Sequence, residues 1–353
     1  MPYYFNLPLI TELTIDQQRA VDETNTALAL SGGPGTGKSV VCLWRHISNH
    51  STGLRESLLL TYTKTLEHYL RASAKNLDED AAQNIGRTNC WLYDCPDNQV
   101  EVTNFDEIII DEGQDIEKST FQRYFEYTEN LTYGADKRQS MYLSKEKLKE
   151  LFEWFKTEPR FSHNEKITLN RNFRNSKEIL LFTRSVFPNF LISNNAIASA
   201  RETGLKPIMK INLGWGAENQ VDDIVQIIND FKSDTHNIAV LLPFASKVNT
   251  FYDLIKDRLD DETEITKFQN EMAEFEGLAG IHVTTFHSSK GTEFDTVIIP
   301  EFDSFNKLIA DPKFDMITEN SYYVSFTRAK TNLFLLCTNG FPSIGNRETI
   351  IIE

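Results

Sequence analysis

The stretch Gly32-Gly33-Pro34-Gly35-Thr36-Gly37-Lys38-Ser39 satisfies the pattern G-x-x-x-x-G-K-[ST] at every position, and few strings this short constrain a fold as tightly. It follows the apolar run 27–30 and precedes a helix-like segment that opens at Val40. Strand, loop and helix in that order are the setting in which the pattern works. Glycines free the backbone to curl its N–H groups around an anion, and the helix N-terminus adds its dipole. Lys38 is then placed to reach β- and γ-phosphates, and Ser39 to ligate magnesium. The chemistry implied is that of a nucleoside triphosphate, with ATP and Mg2+ as the expected cofactors.

A chain of 353 residues has room for two or three domains. Short β-branched runs at 27–30, 57–61, 107–110, 207–211, 238–242, 281–285, 296–299 and 333–337 alternate with amphipathic stretches such as 221–231 and 247–259. That alternation predicts an α/β fold with parallel sheets. So many strands exceed one sheet, and the polar stretch 159–164 divides them, giving expected domains of 1–160 and 161–353. The acidic stretch 253–276 reads as a solvated helix face and loop.

Composition narrows the partners. The longest apolar runs are too short to span a bilayer, and the start shows no basic segment leading into an apolar core, so no membrane is expected. The cysteines at 42, 90, 95 and 337 form neither a disulfide framework nor a zinc pattern and read as reduced cytoplasmic thiols. A net charge of −15 argues against holding nucleic acid through a broad basic surface. A local groove within an acidic body remains compatible with it.

Downstream, the apolar run 107–110 leads straight into Asp111-Glu112-Gly113-Gln114-Asp115. A strand ending in a carboxylate sets that group at the C-terminal edge of the sheet, beside the phosphate loop. Asp111 is thus the expected magnesium partner, and Glu112 the expected base for the attacking water. Arg174 and Arg328 stand in two later clusters. An arginine facing a γ-phosphate can contribute roughly 10³–10⁵ in rate.

Taken in order, these clusters resemble the motifs of superfamily 1 helicases of the UvrD/PcrA/Rep branch. Leu13-Thr14-Ile15-Asp16-Gln17 is similar to the adenine-reading Q motif, with Gln17 as its amide. Thr61-Tyr62-Thr63-Lys64 resembles motif Ia, which touches the single strand. Asp111–Asp115 resembles D-E-x-Q-D, and Ala135-Asp136-Lys137-Arg138-Gln139-Ser140-Met141-Tyr142 resembles motif III, with Gln139 as a γ-phosphate sensor. Asn172-Phe173-Arg174-Asn175 resembles motif IV. The run from Val283 to Phe294 resembles motif V, with Thr285 and His287 toward nucleic acid and Glu293 toward the ribose. Tyr323–Arg328 resembles motif VI.

The resemblance implies two tandem RecA-like domains that hold ATP between them, with catalytic Lys38, Asp111, Glu112, Gln139, Arg174 and Arg328. Its nucleotide set is Gln17, Gly32, Gly33, Pro34, Gly35, Thr36, Gly37, Lys38, Ser39, Val40 and Glu293, with magnesium on Ser39 and Asp111. It implies 3′-to-5′ movement on single-stranded DNA, although the core motifs do not separate DNA from RNA. The sequence departs where relatives carry large insertions and a stacking run after motif III, here Leu143-Ser144-Lys145. Tyr62 and Phe286 are left as candidate stacking platforms, and Trp91 reads as core. A motor subunit that relies on a protein partner, such as a nuclease of a defence or repair complex, is the alternative.

Overall fold

The computed structural model describes residues 7–353 except 94, 96, 97, 191, 212–216, 269–279, 339, 341, 343 and 344. Among the described residues, contacts divide the chain into one unit that ends at Asn170 and another of Arg171–Glu353. Each is an α/β unit built on an all-parallel sheet, as the alternation of strand and helix patterns predicts.

The first unit has strands β1 (Leu28–Gly32), β2 (Ser57–Thr61), β3 (Ile85–Arg87), β4 (Glu107–Ile110), β5 (Asn130–Ala135) and β6 (Glu165–Leu169). They lie in the order β3-β2-β4-β5-β1-β6. Helices α1 (Ile15–Asp22), α2 (Lys38–Ser51), α3 (Lys64–Lys75), α4 (Glu79–Gln83), α5 (Lys118–Tyr124) and α6 (Lys145–Thr157) connect them. Every residue of β2 and β4 is buried, because helices cover both faces of a parallel sheet. On one face Val41, Cys42, Leu43 and Ile47 of α2 pack with Leu66, Leu70 and Ala74 of α3. The other face is aromatic. Tyr133 stacks on Phe155 at 4.2 Å, and Phe121, Trp154 and Phe161 surround them. Trp91 belongs to this core as expected, fully buried with its indole N–H on the Glu101 carbonyl.

Two buried polar groups brace the N-terminal edge of this sheet. The Glu107 carboxylate accepts from Arg45 at 2.8 Å, Asn49 at 2.9 Å and Arg55 at 3.2 Å, and also from the Thr132 hydroxyl. Arg45 turns its remaining N–H groups to the carbonyls of Ala20, Glu23 and Thr26. One ion pair thereby ties α1, α2, β4 and β5 together. Removing either partner would strand a buried charge, a loss of about 3–5 kcal/mol. His46 is the second brace. Its Nε2 donates to the Ala81 carbonyl at 2.8 Å, so Nδ1 accepts from the Ser57 hydroxyl at 2.9 Å.

The second unit has β7 (Ile208–Ile211), β8 (Ile238–Leu242), β9 (Thr266–Phe268), β10 (Ile281–Thr285), β11 (Phe294–Ile299), β12 (Ala329–Cys337) and β13 (Ile351–Ile352). Their order is β13-β7-β12-β11-β8-β10-β9. Its helices are α7 (Lys177–Val186), α8 (Asn194–Ser199), α9 (Ala217–Phe231), α10 (Ala245–Lys256), α11 (Phe305–Ala310) and α12 (Glu319–Phe326). Val221, Ile224 and Ile228 of α9 recur at helical spacing and pack with β8, Val248, Phe251 and Ile255. The exposed Asp253, Asp257 and Asp260 form the solvated face expected of the acidic stretch. Its part from 269 to 276 lies outside the described residues.

The two sheets share one plan. Setting β7 against β1, β8 against β2, β10 against β3, β11 against β4, β12 against β5 and β13 against β6 reproduces both the spatial order and the chain order, with β9 as the one addition. A local detail supports the match. Among the described residues the only non-glycine positions with positive φ are Glu112 (60°) and Glu301 (52°). Each stands two residues beyond its strand, β4 or β11, and opens a 3-10 turn.

Burial first, and then the charge of His50, pushes the His46 pKa down to about 3, against a smaller opposing pull from the Ala81 carbonyl. The folded state therefore holds this ring neutral, while the unfolded state protonates it below about 6.5. Its contribution to stability is full above that pH and is lost as pH falls. Between pH 6.5 and 4, His46→Gln should remove one proton's worth of slope, about 1.4 kcal/mol per pH unit, from denaturant-derived stability. Parallel pH profiles for both proteins would contradict this.

Candidate nucleotide and nucleic-acid site

The phosphate loop runs from the end of β1 to the start of α2. Gly37 is the N-cap of α2 and takes the left-handed conformation, φ 86° and ψ 25°, which is why a glycine stands there. Gly32 has a different reason. A Cβ on it would lie 2.7 Å from the Leu169 carbonyl oxygen and 2.6 Å from the Thr36 hydroxyl. Thr36 closes the loop by donating to the Gly33 carbonyl at 2.9 Å. The Lys38 ammonium donates to the carbonyls of Gly32 (2.9 Å) and Gly33 (3.1 Å). It thus sits at the mouth of its own loop, tethered to groups that an anion could replace.

Gln17 is drawn into the same structure. Its Nε2 donates to the Thr36 carbonyl at 3.1 Å, while its Oε1 accepts from the Thr14 N–H at 2.9 Å as part of the α1 cap. The amide expected to read a base therefore braces the loop here. Reading adenine would require it to exchange one of these bonds.

Asp111 follows β4 and is completely buried. Neither carboxylate oxygen makes a hydrogen bond of good geometry, although the Ser39 hydroxyl and the Lys38 charge are near enough to act on it. Burial first, and Glu112 second, push its carboxyl well above the usual range, with Ser39 and Lys38 pulling back. Gly134 of β5 lies against both groups, since a Cβ there would be 3.7 Å from Asp111 Oδ1 and 3.7 Å from Lys38 Cβ. The structure thus brings together Lys38, Ser39 and Asp111 as the sequence pattern suggests. A buried carboxylate whose donors are poorly aligned is costly, and a divalent cation is the kind of group that satisfies it.

The left-handed backbone of Glu112 (φ 60°, ψ 39°) is a sparsely populated conformation for a side chain of this kind, and such strain collects at functional sites. Gln114 donates its amide to the Glu112 carboxylate and accepts the Asp136 N–H at 3.0 Å. Asp136 in turn accepts the Gln139 amide at 2.8 Å. Asp115 accepts the N–H groups of Met141 (2.9 Å) and Tyr142 (3.3 Å). The turn after β4 is therefore wired to the turn after β5, connecting Glu112 with Gln139. Gln114, Asp115 and Asp136 carry this wiring. In the sequence these three show only as members of the quoted motifs; their contacts give them this role.

In the second unit, Asn172 and Asn175 fix the loop that carries Arg174. Asn172 Oδ1 accepts the N–H groups of Arg174 (3.1 Å) and Asn175 (2.9 Å), and Asn175 Nδ2 donates to the carbonyls of Thr327 (3.0 Å) and Ala329 (2.6 Å). Arg174 pairs with Glu293 at 2.8 Å, and Lys330 approaches the same carboxylate at 3.3 Å. Burial alone would raise Glu293, but these two cations outweigh it and hold the carboxyl at about 2. Arg328 is buried and donates to the carbonyls of Val324 and Thr292, each at 3.1 Å. Arg174, Glu293 and Arg328 therefore form one cluster at the starts of β11 and β12, with both arginines engaged inside their own unit. Phe173, on the same loop as Arg174, has a ring 50% exposed beside Arg171, an unusual position for a large aromatic.

The residues expected to touch nucleic acid divide by exposure. Tyr62 is half-buried and lies 4.3 Å from the Tyr142 ring, Lys64 is partly exposed, and Thr63 caps α3. Thr61, Thr285 and His287 are buried. Thr285 spends its hydroxyl on Ser288, accepting its N–H at 3.0 Å and donating to its Oγ. Phe286 is not a platform. It is fully buried against Tyr322, 4.9 Å between centroids, because it fills the core beyond β10.

Residues 244–340 match the family model of the UvrD-like helicase C-terminal domain. The matched stretch holds Thr285, His287, Glu293 and Arg328, and it makes the second unit UvrD-like over that span. Among solved structures, the C-terminal domain of a possible DNA helicase from Lactobacillus plantarum is 20% identical with a TM-score of 0.39, over 51% of this chain and 98% of that one. The PRRSV helicase is 15% identical with a TM-score of 0.43, over 92% and 54%. Arterivirus nonstructural protein 10, a helicase solved in complex with DNA, is 12% identical with a TM-score of 0.44, over 90% and 63%. The chain thus spans little more than half the length of the two viral helicases. No curated protein matches it. Within the described residues no helix is long and apolar enough to cross a membrane, and no cluster of His, Cys, Asp and Glu is arranged to hold a metal through three or more of them.

The loop geometry separates two glycines by consequence. Gly37→Ala would force an L-residue into the left-handed region, about 1–2 kcal/mol, and press its Cβ onto the Gln17 amide. It should lower the melting temperature by about 2–8 °C and weaken ATP binding at least about tenfold, roughly the loss of one good hydrogen bond to a charged group. Gly33→Ala meets open space and should leave the melting temperature unchanged. Equal melting of wild type and Gly37→Ala would remove the conformational argument.

Proposed function

We propose that this chain is an ATP-hydrolysing motor that translocates on single-stranded DNA. The observation that carries the reading is the buried Asp111 carboxylate, set beside Lys38 and Ser39 at a complete phosphate loop with no hydrogen bond of good geometry to either oxygen. Ser39 and Asp111 would hold Mg2+, which when bound offsets phosphate charge. Lys38 would exchange its loop carbonyls for phosphate oxygens. Glu112, held by Gln114, would orient the attacking water, and the link through Asp136 would make that carboxylate responsive to Gln139. Arg174 and Arg328 are assigned to the charge that builds on the transferring phosphoryl group. Phe173 offers an exposed ring face suited to a purine. The direction expected for the motor is 3′ to 5′.

A second reading, a motor that runs only with a protein partner such as a nuclease subunit, draws support from the net charge of −15. An acidic surface gives little nonspecific hold on a polyanion. One experiment separates the readings. ATP turnover is measured alone, with oligo-dT, with oligo-U, and with proteins that co-purify. The proposal expects strong stimulation by oligo-dT, reduced by about 10²-fold or more in Glu112→Gln and brought to background in Lys38→Ala. Stimulation by oligo-U alone would transfer the activity to RNA, and stimulation only with a co-purifying protein would favour the second reading. Turnover indifferent to every nucleic acid under all these conditions would overturn the proposal.

A further inference from the structure

Lys330 is the second residue of β12, and its backbone is tied to the loop that carries Arg174. Asn175 Nδ2 donates to the carbonyls of Thr327 and Ala329 on either side of Arg328, and the Ser176 N–H donates to the Lys330 carbonyl at 2.8 Å. The neighbouring strand is joined as closely, because the Phe294 N–H donates to the Arg328 carbonyl at 2.9 Å. Arg174, Glu293 and Lys330 thus stand on one interlocked frame of backbone. The pairing of β11 with β12 is irregular at that point. It advances two residues on β11, from Phe294 to Thr296, but three on β12, from Ala329 to Asn332. Lys330 and Thr331 therefore share the place opposite Asp295. An extra residue of this kind re-aims a side chain, and such bulges collect beside functional sites.

The Lys330 ammonium ends between two carboxylates, 3.3 Å from Glu293 Oε1 and 3.7 Å from Asp295 Oδ1. Asp295 is fixed through its other oxygen, which accepts the Asn237 N–H at 2.9 Å. Glu293 divides its oxygens too, with Oε2 on Arg174 Nε at 2.8 Å. Charges therefore alternate along the line Arg174, Glu293, Lys330, Asp295. All four side chains keep partial contact with water, and ion pairs this open add little to stability. Stability is thus a weak reason for the arrangement. It has a second consequence. A charge-assisted bond between arginine and carboxylate is among the strong ones, but a second cation on the same carboxylate shares its charge and repels the first. Lys330 loosens the hold of Glu293 on Arg174.

We propose that Lys330 is a positioning residue that releases Arg174: it stays on Glu293 as counter-charge when the guanidinium turns to the transferring phosphoryl group. The inference rests on the proposed function, since it takes Arg174 as the group that answers the phosphoryl charge. Lys330 itself touches neither nucleotide nor water in this role and acts only through Glu293. With Lys330 removed, Arg174 carries a larger share of the Glu293 charge and is harder to withdraw. The cost falls on the step in which the arginine is used, so it lowers kcat rather than raising KM. Removing the Glu293 charge as well abolishes the hold, and with it the need for Lys330.

The test is steady-state ATP turnover by the full chain with saturating oligo-dT, with kcat and KM read separately. Lys330→Met should lower kcat by about tenfold or more, the scale of one hydrogen bond to a charged group, with KM for ATP within about threefold of wild type. Its melting temperature should stay within about 4 °C of wild type, as expected of an open ion pair. Lys330→Arg, which keeps the charge, should restore kcat to within about threefold. The deciding comparison is a double-mutant cycle. In a Glu293→Gln background, Lys330→Met should change kcat by less than about twofold, because the two residues act as one unit. If Lys330→Met turns over like wild type, or slows turnover equally in both backgrounds, or changes KM alone, the inference is wrong while the proposed function stands. If Arg174→Ala turns over as fast as wild type, the assignment of Arg174 fails and the role of Lys330 fails with it. Wild type that turns over no ATP with any nucleic acid or co-purifying protein would overturn both.

Discussion

A fully buried carboxylate with no hydrogen bond of good geometry is the constraint around which the first unit is organised. Asp111 is sealed under the turn after β4, with Lys38 and Ser39 nearby and no hydrogen bond of good geometry to either oxygen. A protein interior does not keep such a group at no cost, and folded chains rarely leave buried polar atoms unsatisfied. The rest of the unit can be understood as the structure that makes this state tolerable. Gly134 of β5 leaves room between the carboxylate and the lysine. The Glu107 network and His46 brace the opposite edge of the same sheet, so that the strand ends carrying the site are held from behind.

The second unit repeats the plan without repeating the site. Its strand order and chain order follow those of the first, and the left-handed glutamate recurs at Glu301. Proline stands at 300 where the first unit has Asp111, and Lys247 holds the Glu301 carboxylate. The geometry of the turn recurs there without its acidic pair. Charged side chains gather instead at the starts of β11 and β12, where Arg174, Glu293, Lys330 and Arg328 lie. One layout thus carries the phosphate-loop motif and acidic turn at the strand ends of one unit and an arginine cluster at the strand starts of the other.

The sequence made the buried strands plain and the marginal ones invisible. Runs such as 238–242 and 108–110 are apolar at every position because both faces of their sheets are covered. β3 and β13 span only three and two residues, too few for a pattern. β5 carries a glycine where Lys38, Cys42 and Asp111 crowd it, so packing at the site erased its strand signal. Edge strand β6 alternates Lys166 and Thr168 with Ile167 and Leu169, beyond a polar stretch that reads as a division of the chain. The phosphate loop and acidic turn were legible because backbone chemistry demands those residue types. Contacts decided the remainder. Phe286 reads as a possible platform until Tyr322 is seen against it, and Gln114 gains its role only from its bonds to Glu112 and Asp136.

The claim on which this account stands is that Asp111 completes a magnesium–nucleotide site with Lys38 and Ser39. Equilibrium binding of a fluorescent ATP analogue, with Mg2+ and with a chelator, measures it in wild type and in Asp111→Asn. Magnesium should tighten binding to the wild type by about tenfold or more, equivalent to about 1.4 kcal/mol, and should do little for Asp111→Asn. Binding that is indifferent to magnesium in both proteins, or strengthened equally in both, would contradict it.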